Sequence, residues 1–159
     1  FVLERAKFPV VLRAGWMMGG GPKKDKKFVS KILQQIKDGA NTLHVVDDKL
    51  GTPTYTYDFA RNAKIIIEQK LWGLYNLVCK GATGRYEVAK KIISILQLEK
   101  KIKITKVSSK YFLKEYYAPR PSSERLINKK LGLRGLDQMR DWEECLEEYL
   151  KDSYGDYLL

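Results

Sequence analysis

At 159 residues the chain is the size of one domain, and its 44% apolar and 31% charged residues strike the balance of an ordinary soluble globular protein with a real hydrophobic core. No apolar run approaches the ~20 residues of a membrane helix, because Arg13, Asp47 and Lys80 interrupt the best candidates; with no secretory signal either, a cytoplasmic location is expected and a membrane role is not. The net charge of +11 invites nucleic acid as a partner, but the basic residues are spread over positions 23–37, 90–106 and 120–134 without regular aromatic interleaving, and the tail from Met139 is acidic, which argues against it.

The chain opens at Phe1, not Met, inside a helical-looking stretch over residues 1–6, and is expected to be a fragment. Residues 8–14 form a short β-rich run with Pro9 at its start, where a missing amide is tolerated. Gly15-Trp16-Met17-Met18-Gly19-Gly20-Gly21-Pro22 then meets every criterion for a loop. From Lys27 to Lys37, Phe28, Val29, Ile32, Leu33 and Ile36 repeat with helical period, and Gly39 is the expected stop. Residues 43–46 read as a strand and 47–54 as another loop. Thr56 is placed to cap a helix from Tyr57, with Asp58 in its first turn, where a negative charge favours the positive end of the dipole, and with Phe59, Ala63, Ile66 and Ile67 on one side. Residues 73–79 read as a strand, and Thr83-Gly84 opens a helix with a stripe of Tyr86, Ala89, Ile93 and Leu96. Residues 102–107 alternate lysine with branched apolar side chains, as an exposed-face strand would. The aromatic, proline-containing stretch 111–121 has no period and is expected to be ordered but irregular. The last helix turns Met139, Trp142, Leu146 and Tyr149 inward and its acidic residues outward. Strands separated by helices make the chain α/β, with parallel crossovers.

Several residues invite chemistry. Three consecutive glycines beside lysines suggest a phosphate loop over residues 15–27, but no Gly-Lys-Ser/Thr follows and the first lysines come after Pro22. What remains is a flexible turn leaving a strand end, where open α/β sheets bind ligands. Trp16 in that turn either plugs a core or walls a base or sugar; unlike Trp142 it has no periodic apolar partners, which favours a ligand-facing role. Arg120, just before Pro121, suits a forked hydrogen bond to a diphosphate and equally a structural salt bridge. Tyr86-x-x-x-Lys90 matches the catalytic pair of short-chain dehydrogenases letter for letter. Tyr86 nevertheless falls on the apolar stripe of its helix, with no serine or threonine at the usual upstream distance, and is assigned to the core. Cys79 and Cys145 lie in apolar-periodic segments and read as buried free thiols. No metal is expected: the lone histidine, His44, reads as a core or edge residue, and Asp47 and Asp48 lack further ligands. Gly-x-Gly-x-x-Gly occurs nowhere, so the chain alone is expected to bind neither NADPH nor NADH.

Taken in order, the motifs resemble one family. Val11-Leu-Arg-Ala-Gly-Trp16-Met-Met-Gly19 resembles the strand and loop that follow the catalytic helix in dTDP-4-dehydrorhamnose reductases, and Lys27-Phe28-Val29 the start of their next helix. Val45-Val-Asp-Asp-Lys-Leu-Gly51-Thr-Pro53-Thr54, followed by Asp58-Phe-Ala60, is similar to that family's most recognisable carboxy-terminal block. Gly73-Leu-Tyr-Asn-Leu-Val, Tyr86-Glu-Val-Ala89, Ala118-Pro-Arg120-Pro121 and Asp141-Trp142 continue the match to about Leu150. Ala14 stands where a threonine is usual, Met18 where a tyrosine is common, Lys27 where asparagine is frequent, and Glu124 where a serine is normal.

The resemblance implies an α/β fold that is the carboxy-terminal part of an extended short-chain dehydrogenase: the last Rossmann strand or strands plus a small substrate domain. Residues 1–22 would be the end of the catalytic helix, the Rossmann strand and the ligand loop, and residues 23–159 the sugar-nucleotide-binding domain. Members reduce the 4-keto group of dTDP-4-dehydro-L-rhamnose with NADPH or NADH, taking hydride from the nicotinamide and a proton from a tyrosine. The glycine fingerprint and the catalytic Ser/Thr, Tyr and Lys would lie upstream of Phe1, leaving no catalytic residue in this chain and no activity in it alone. By the same resemblance Trp16, Phe28 and Arg120 contact the nucleotide-sugar substrate, while Ala14 and Gly15 pass the nicotinamide. A homodimer is an assembly the resemblance allows. Two further readings stay open: a non-catalytic regulatory subunit of the same fold, and a sugar-nucleotide epimerase or dehydratase.

Overall fold

Where the sequence carries a helical apolar period it folds as a helix, and these helices connect short strands whose partners lie far along the chain. The computed structural model describes residues 1–112 and 121–155; Arg120 and most of the irregular stretch 111–121 lie outside the described residues. In chain order come α1 (Val2–Arg5), β1 (Val10–Arg13), β2 (Trp16–Met18), α2 (Gly21–Lys24), α3 (Phe28–Lys37) and β3 (Thr42–Val46). Next are β4 (Leu50–Gly51), β5 (Pro53–Tyr55), α4 (Thr56–Glu68), β6 (Gly73–Asn76), β7 (Thr83–Gly84), α5 (Arg85–Ile95) and β8 (Lys103–Val107). A 3-10 turn (Ser109–Phe112), β9 (Ser123–Glu124), α6 (Lys129–Gly132) and α7 (Trp142–Tyr154) complete the order.

Each of the two-stranded sheets is a parallel pair: β1 with β6, β2 with β5, and β3 with β8. Each needs a crossover, and the long helices supply it, which is the α/β arrangement expected from the sequence. Strand β4 sits in the middle of a small mixed sheet, antiparallel to β7 and parallel to β9.

The main core is built from the inner faces of α3 (Val29, Ile32, Leu33), α5 (Val88, Ala89, Ile92, Ile93) and α7 (Trp142, Cys145, Leu146, Tyr149) around Leu43 and Val45 of β3. A second cluster gathers Ile66, Tyr75, Leu77 and Leu131, with Val10, Leu12, Phe59 and Ala63 packed against it. Gly39 ends α3 as expected: at φ 87° it takes the left-handed conformation, and its N–H donates to the carbonyl of Ile36 at 3.0 Å. Cys79 and Cys145 are both buried and free. His44 lies on the exposed face of β3, with its ring stacked on Tyr111 at 5.2 Å.

Several local expectations are corrected. The loop expected over residues 15–22 contains strand β2, and the loop expected over 47–54 contains β4 and β5. Strands of two or three residues are too short for any alternation to register, and glycine and proline mark their ends. Thr56 does not cap α4; it is the first helical residue, and Tyr55 holds the cap position without a side-chain bond. Ile67 is 59% exposed, because the apolar arc of α4 ends at its neighbour Ile66. Asp58 stands in the first turn of α4 as expected, and it is fully buried there. Tyr86 is half-buried at the rim of the main core, with Lys106 Nζ 4.4 Å and Lys90 Nζ 5.9 Å from its ring centre.

Candidate functional site

The site grows from the four residues Gly51-Thr52-Pro53-Thr54, each of which holds a different neighbour. Thr54 Oγ1 accepts the N–H of Gly15 at 2.9 Å, and the carbonyl of Thr52 accepts the N–H of Trp16 at 2.9 Å. These bonds fix the chain as it leaves β1. Gly15 must lack a side chain there, since a Cβ would overlap the Thr52 carbonyl. On its other side Thr52 bridges to Leu126, accepting its N–H at 3.0 Å. The carbonyl of Pro53 accepts the N–H of Cys79 at 3.0 Å. One short segment thus ties together the β1–β2 turn, the chain after β6 and the chain after β9.

Trp16 rests on this frame. Its six-membered ring lies against Gly51, where any Cβ would fall among the indole atoms. Its Nε1–H donates to Glu124 Oε2 at 2.9 Å. The guanidinium carbon of Arg85 stands 5.3 Å from the Trp16 ring centre and 5.7 Å from that of Phe28, within cation–π range of both. Gly51 and Glu124 belong to β4 and β9, and Arg85 follows directly on β7. The small three-stranded sheet is therefore a cradle for one indole. Trp16 is half-buried and belongs to neither apolar cluster.

The sequence-expected residues are thus brought together in part. Trp16 and Phe28 meet through Arg85, and Ala14 and Gly15 stand at the end of β1 beside them. Arg120 lies outside the described residues. Arg85 was not anticipated, and Glu124 was marked only as a departure. A guanidinium just after Thr83-Gly84 has no local signature, because its aromatic partners come from residues 16 and 28.

Across β9 lies an open cavity of about 690 Å³, walled by Cys79, Lys80, Ser123, Arg125, Asn128 and Asp137, among others. Strand alternation explains the division: Glu124 reaches Trp16, whereas its neighbours Ser123 and Arg125, bonded to each other at 2.9 Å, line the cavity. Asn128 fixes the rear wall, accepting the N–H of Val78 at 3.0 Å and donating to its carbonyl at 2.8 Å.

Two polar networks hold the frame. Asp58 accepts a forked pair from Arg140, Nε to Oδ2 at 2.9 Å and Nη2 to Oδ1 at 2.8 Å, and the thiol of Cys145 donates to it at 3.4 Å. Burial pushes the Asp58 carboxyl up, but the bonds from Arg140 and Cys145 outweigh it and hold the group below the ordinary carboxylate range. The other network ties α7 to the chain before α3. Tyr149 donates its hydroxyl to buried Asp25 at 2.9 Å, and burial pushes that phenol well up. Among the described residues no group of His, Cys, Asp and Glu is arranged to hold a metal ion.

Parallel strand pairs joined by helices, with an aromatic site where β1 ends, define the carboxy-terminal, substrate-side part of an extended short-chain dehydrogenase. Residues 1–154 match the RmlD substrate binding domain, and the chain belongs to that family. It is 31% identical over 146 residues to the spore coat polysaccharide biosynthesis protein SpsK of Bacillus subtilis, covering 92% of this chain and 48% of that protein. It is 29% identical to a dTDP-4-dehydrorhamnose reductase of Mycobacterium tuberculosis, covering 89% of this chain and 45% of that protein. Among solved structures, the dTDP-4-dehydrorhamnose reductase of Yersinia enterocolitica superposes with a TM-score of 0.80 at 33% identity, over 89% of this chain and 48% of that one. The Bacillus anthracis reductase, solved in complex with NADP, gives 0.81 at 29% identity, over 94% and 50%. The chain spans about half the length of the curated relatives it matches. A UDP-N-acetylglucosamine 4-epimerase from Bacillus cereus shares the fold at 20% identity.

Proposed function

We propose that this chain is the sugar-nucleotide-binding half of an NAD(P)H-dependent reductase of a nucleotide-linked 4-keto sugar, of the dTDP-4-dehydrorhamnose reductase type. The observation that carries the reading is the held indole of Trp16, at the carboxyl end of β1, with Phe28 and Arg85 beside it. An amphipathic aromatic face next to a guanidinium suits a ligand with a flat base or sugar and a diphosphate. In this reading Trp16 and Phe28 orient the nucleotide sugar, and Arg120 forks onto its diphosphate. Ala14 and Gly15 fit a nicotinamide as a wall of small residues at a strand end, and they supply no more than that wall. Bound there, the cofactor supplies hydride. The dinucleotide fingerprint and the proton-donating tyrosine belong to a part of the protein preceding Phe1, so residues 1–22 join that half and residues 23–159 form the substrate domain. We assign the protein to the cytoplasm, with neither nucleic acid nor membrane as partner. No helix among the described residues is long and apolar enough to cross a membrane.

The test uses the full-length protein with dTDP-4-dehydro-L-rhamnose. NADPH oxidation that requires the sugar, and is weakened in Trp16→Ala through KM or kcat, is the expected result. Binding of dTDP-sugar without turnover would move the protein to a non-catalytic regulatory subunit. Failure to bind any dTDP-sugar would end the reading.

A further inference from the structure

We propose that Glu124 is a positioning residue that sets the angle at which Trp16 meets its ligand. The inference rests on the reading of Trp16 as a nucleotide-sugar contact. It begins from how the indole is held. A tryptophan fixed by burial needs apolar neighbours, yet among the described residues Trp16 lies outside both apolar clusters. Its restraints are directional instead. A 2.9 Å hydrogen bond to a carboxylate fixes the indole N–H, and such a bond is stronger than one to a neutral acceptor. The backbone of Gly51 fixes where the ring plane lies, because nothing but a hydrogen stands between them.

The carboxylate and the ring support are coupled. Gly51 and Glu124 are paired residues of neighbouring parallel strands, so the acceptor and the surface under the ring move as one unit. Arg85, 5.3 Å from the ring centre, follows the strand on the other side of β4, which brings the third strand of the same sheet into the restraint. Strands of two residues each bury little on their own, and what these three share is the indole. A serine at position 124, the residue expected there from the family resemblance, has a side chain two atoms shorter than glutamate. From the same backbone position it would reach a different point and leave the ring a different angle. The residue at 124 therefore decides how the aromatic wall is presented, while its neighbours Ser123 and Arg125 line the cavity across β9.

The experiment compares Glu124→Ala, Glu124→Gln and Glu124→Ser in the full-length protein. The indole N–H resonances of Trp16, Trp72 and Trp142 are followed by NMR, the first assigned with Trp16→Phe. Steady-state kinetics are measured with dTDP-4-dehydro-L-rhamnose. The alanine variant is expected to shift the Trp16 resonance upfield and speed its exchange, with the other two resonances unmoved. It should also raise KM roughly tenfold, the scale of one hydrogen bond to a charged group, with kcat changed far less. Glutamine, whose amide oxygen accepts the same bond, should restore both readouts; serine should restore neither. If alanine fails to fold, the serine variant carries the same comparison. An unmoved Trp16 resonance overturns the proposal, as does a shifted resonance with wild-type KM, which would make the bond merely structural. A wild-type protein that binds no dTDP-sugar overturns the functional reading and this inference together, whereas the two variant outcomes overturn the inference alone.

Discussion

Arg140→Ala should be among the most damaging single changes to this fold. Asp58 is completely buried in the first turn of α4, and Arg140, just before α7, meets it with a two-pronged fork at 2.9 and 2.8 Å. Arg140 also donates to Glu148, and its own backbone N–H reaches Asp58 at 3.4 Å. Truncation leaves a buried carboxylate with the long 3.4 Å bond from the backbone N–H of residue 140, the Cys145 thiol and the more distant Arg61, whose Nη1 is 3.8 Å away. Removing one partner of a buried pair costs about 3–5 kcal/mol. The Arg140 side chain keeps 30% exposure, so water can partly replace it and the low end, about 3 kcal/mol, is expected. For a chain of this length that lowers Tm by roughly 6–12 °C. Urea denaturation at two pH values gives a second signature. In the wild type the Asp58 carboxyl is held low, so its contribution is full above about pH 4 and is lost as pH falls through the folded value. Glu148, lowered by its bond from Arg140, adds in the same direction. Without Arg140, burial dominates and the Asp58 value rises. The sign then reverses, and the variant should be less destabilised at pH 4 than at pH 7. An Arg140→Ala protein within about 0.5 kcal/mol of wild type at pH 7 would refute the argument, since that is the range of ordinary surface substitutions.

Trp142→Ala should cost ~3–5 kcal/mol, because the ring is part of the main core, whereas half-buried Trp16→Ala should cost only about 1–2 kcal/mol, mostly its hydrogen bond and partial burial. Equal losses in urea would make Trp16 a packing residue. Gly51→Ala should displace the indole by inserting a methyl into its ring, costing about 1–3 kcal/mol and perturbing Trp16 fluorescence; an unchanged emission spectrum would contradict the contact. Tyr55, whose phenol is pushed up to about 12 by burial and then by Glu148 and Asp152, should ionise after the exposed tyrosines in an ultraviolet titration. Because the unfolded phenol ionises near 10, this raised value makes stability fall as pH climbs from about 10 to 12.

How far the sequence was legible follows from the length scale of each signal. Helices α3, α4, α5 and α7 each run for ten residues or more, long enough for an apolar period to repeat, and the marked faces of α3 and α7 are buried. In α5, Val88 and Ile92 are buried beside the marked Ala89 and Ile93, with Tyr86 only half-buried; in α4, Ile66 is buried with polar Asp58 and Asn62 while Ile67 is exposed. Strands β3 and β8 were readable for the same reason, with five residues each, although their pairing was not. Strands β2, β4, β5, β7 and β9 were not, since two or three residues carry no period and derive their pairing from distant chain. Asp58 was legible as a first-turn carboxylate but not as a buried ion-pair partner, because Arg140 is 82 residues away. Arg85 and Glu124 share that fate: each is an ordinary charged residue until the small sheet brings it to Trp16.

The same physics explains why composition and period could not single out the Gly51–Thr54 segment, which only the resemblance picked out. Gly51-Thr52-Pro53-Thr54 has no amphipathic pattern, and by turn chemistry alone it is a loop. Each residue is nevertheless constrained by a separate partner: the indole of Trp16 at Gly51, Leu126 and the Trp16 amide at Thr52, the Cys79 amide at Pro53, and the Gly15 amide at Thr54. A motif of this kind carries information about three other parts of the chain at once. Substitution at any of its positions should therefore act at a distance. Thr54→Val, which removes one acceptor while keeping the shape, should loosen the β1–β2 turn and so slacken the Trp16 indole. Faster exchange of the Trp16 indole N–H in Thr54→Val, with the main-core resonances intact, is the expected result. Unchanged exchange would mean that the indole is held by β4, β7 and β9 alone, independent of how β1 ends.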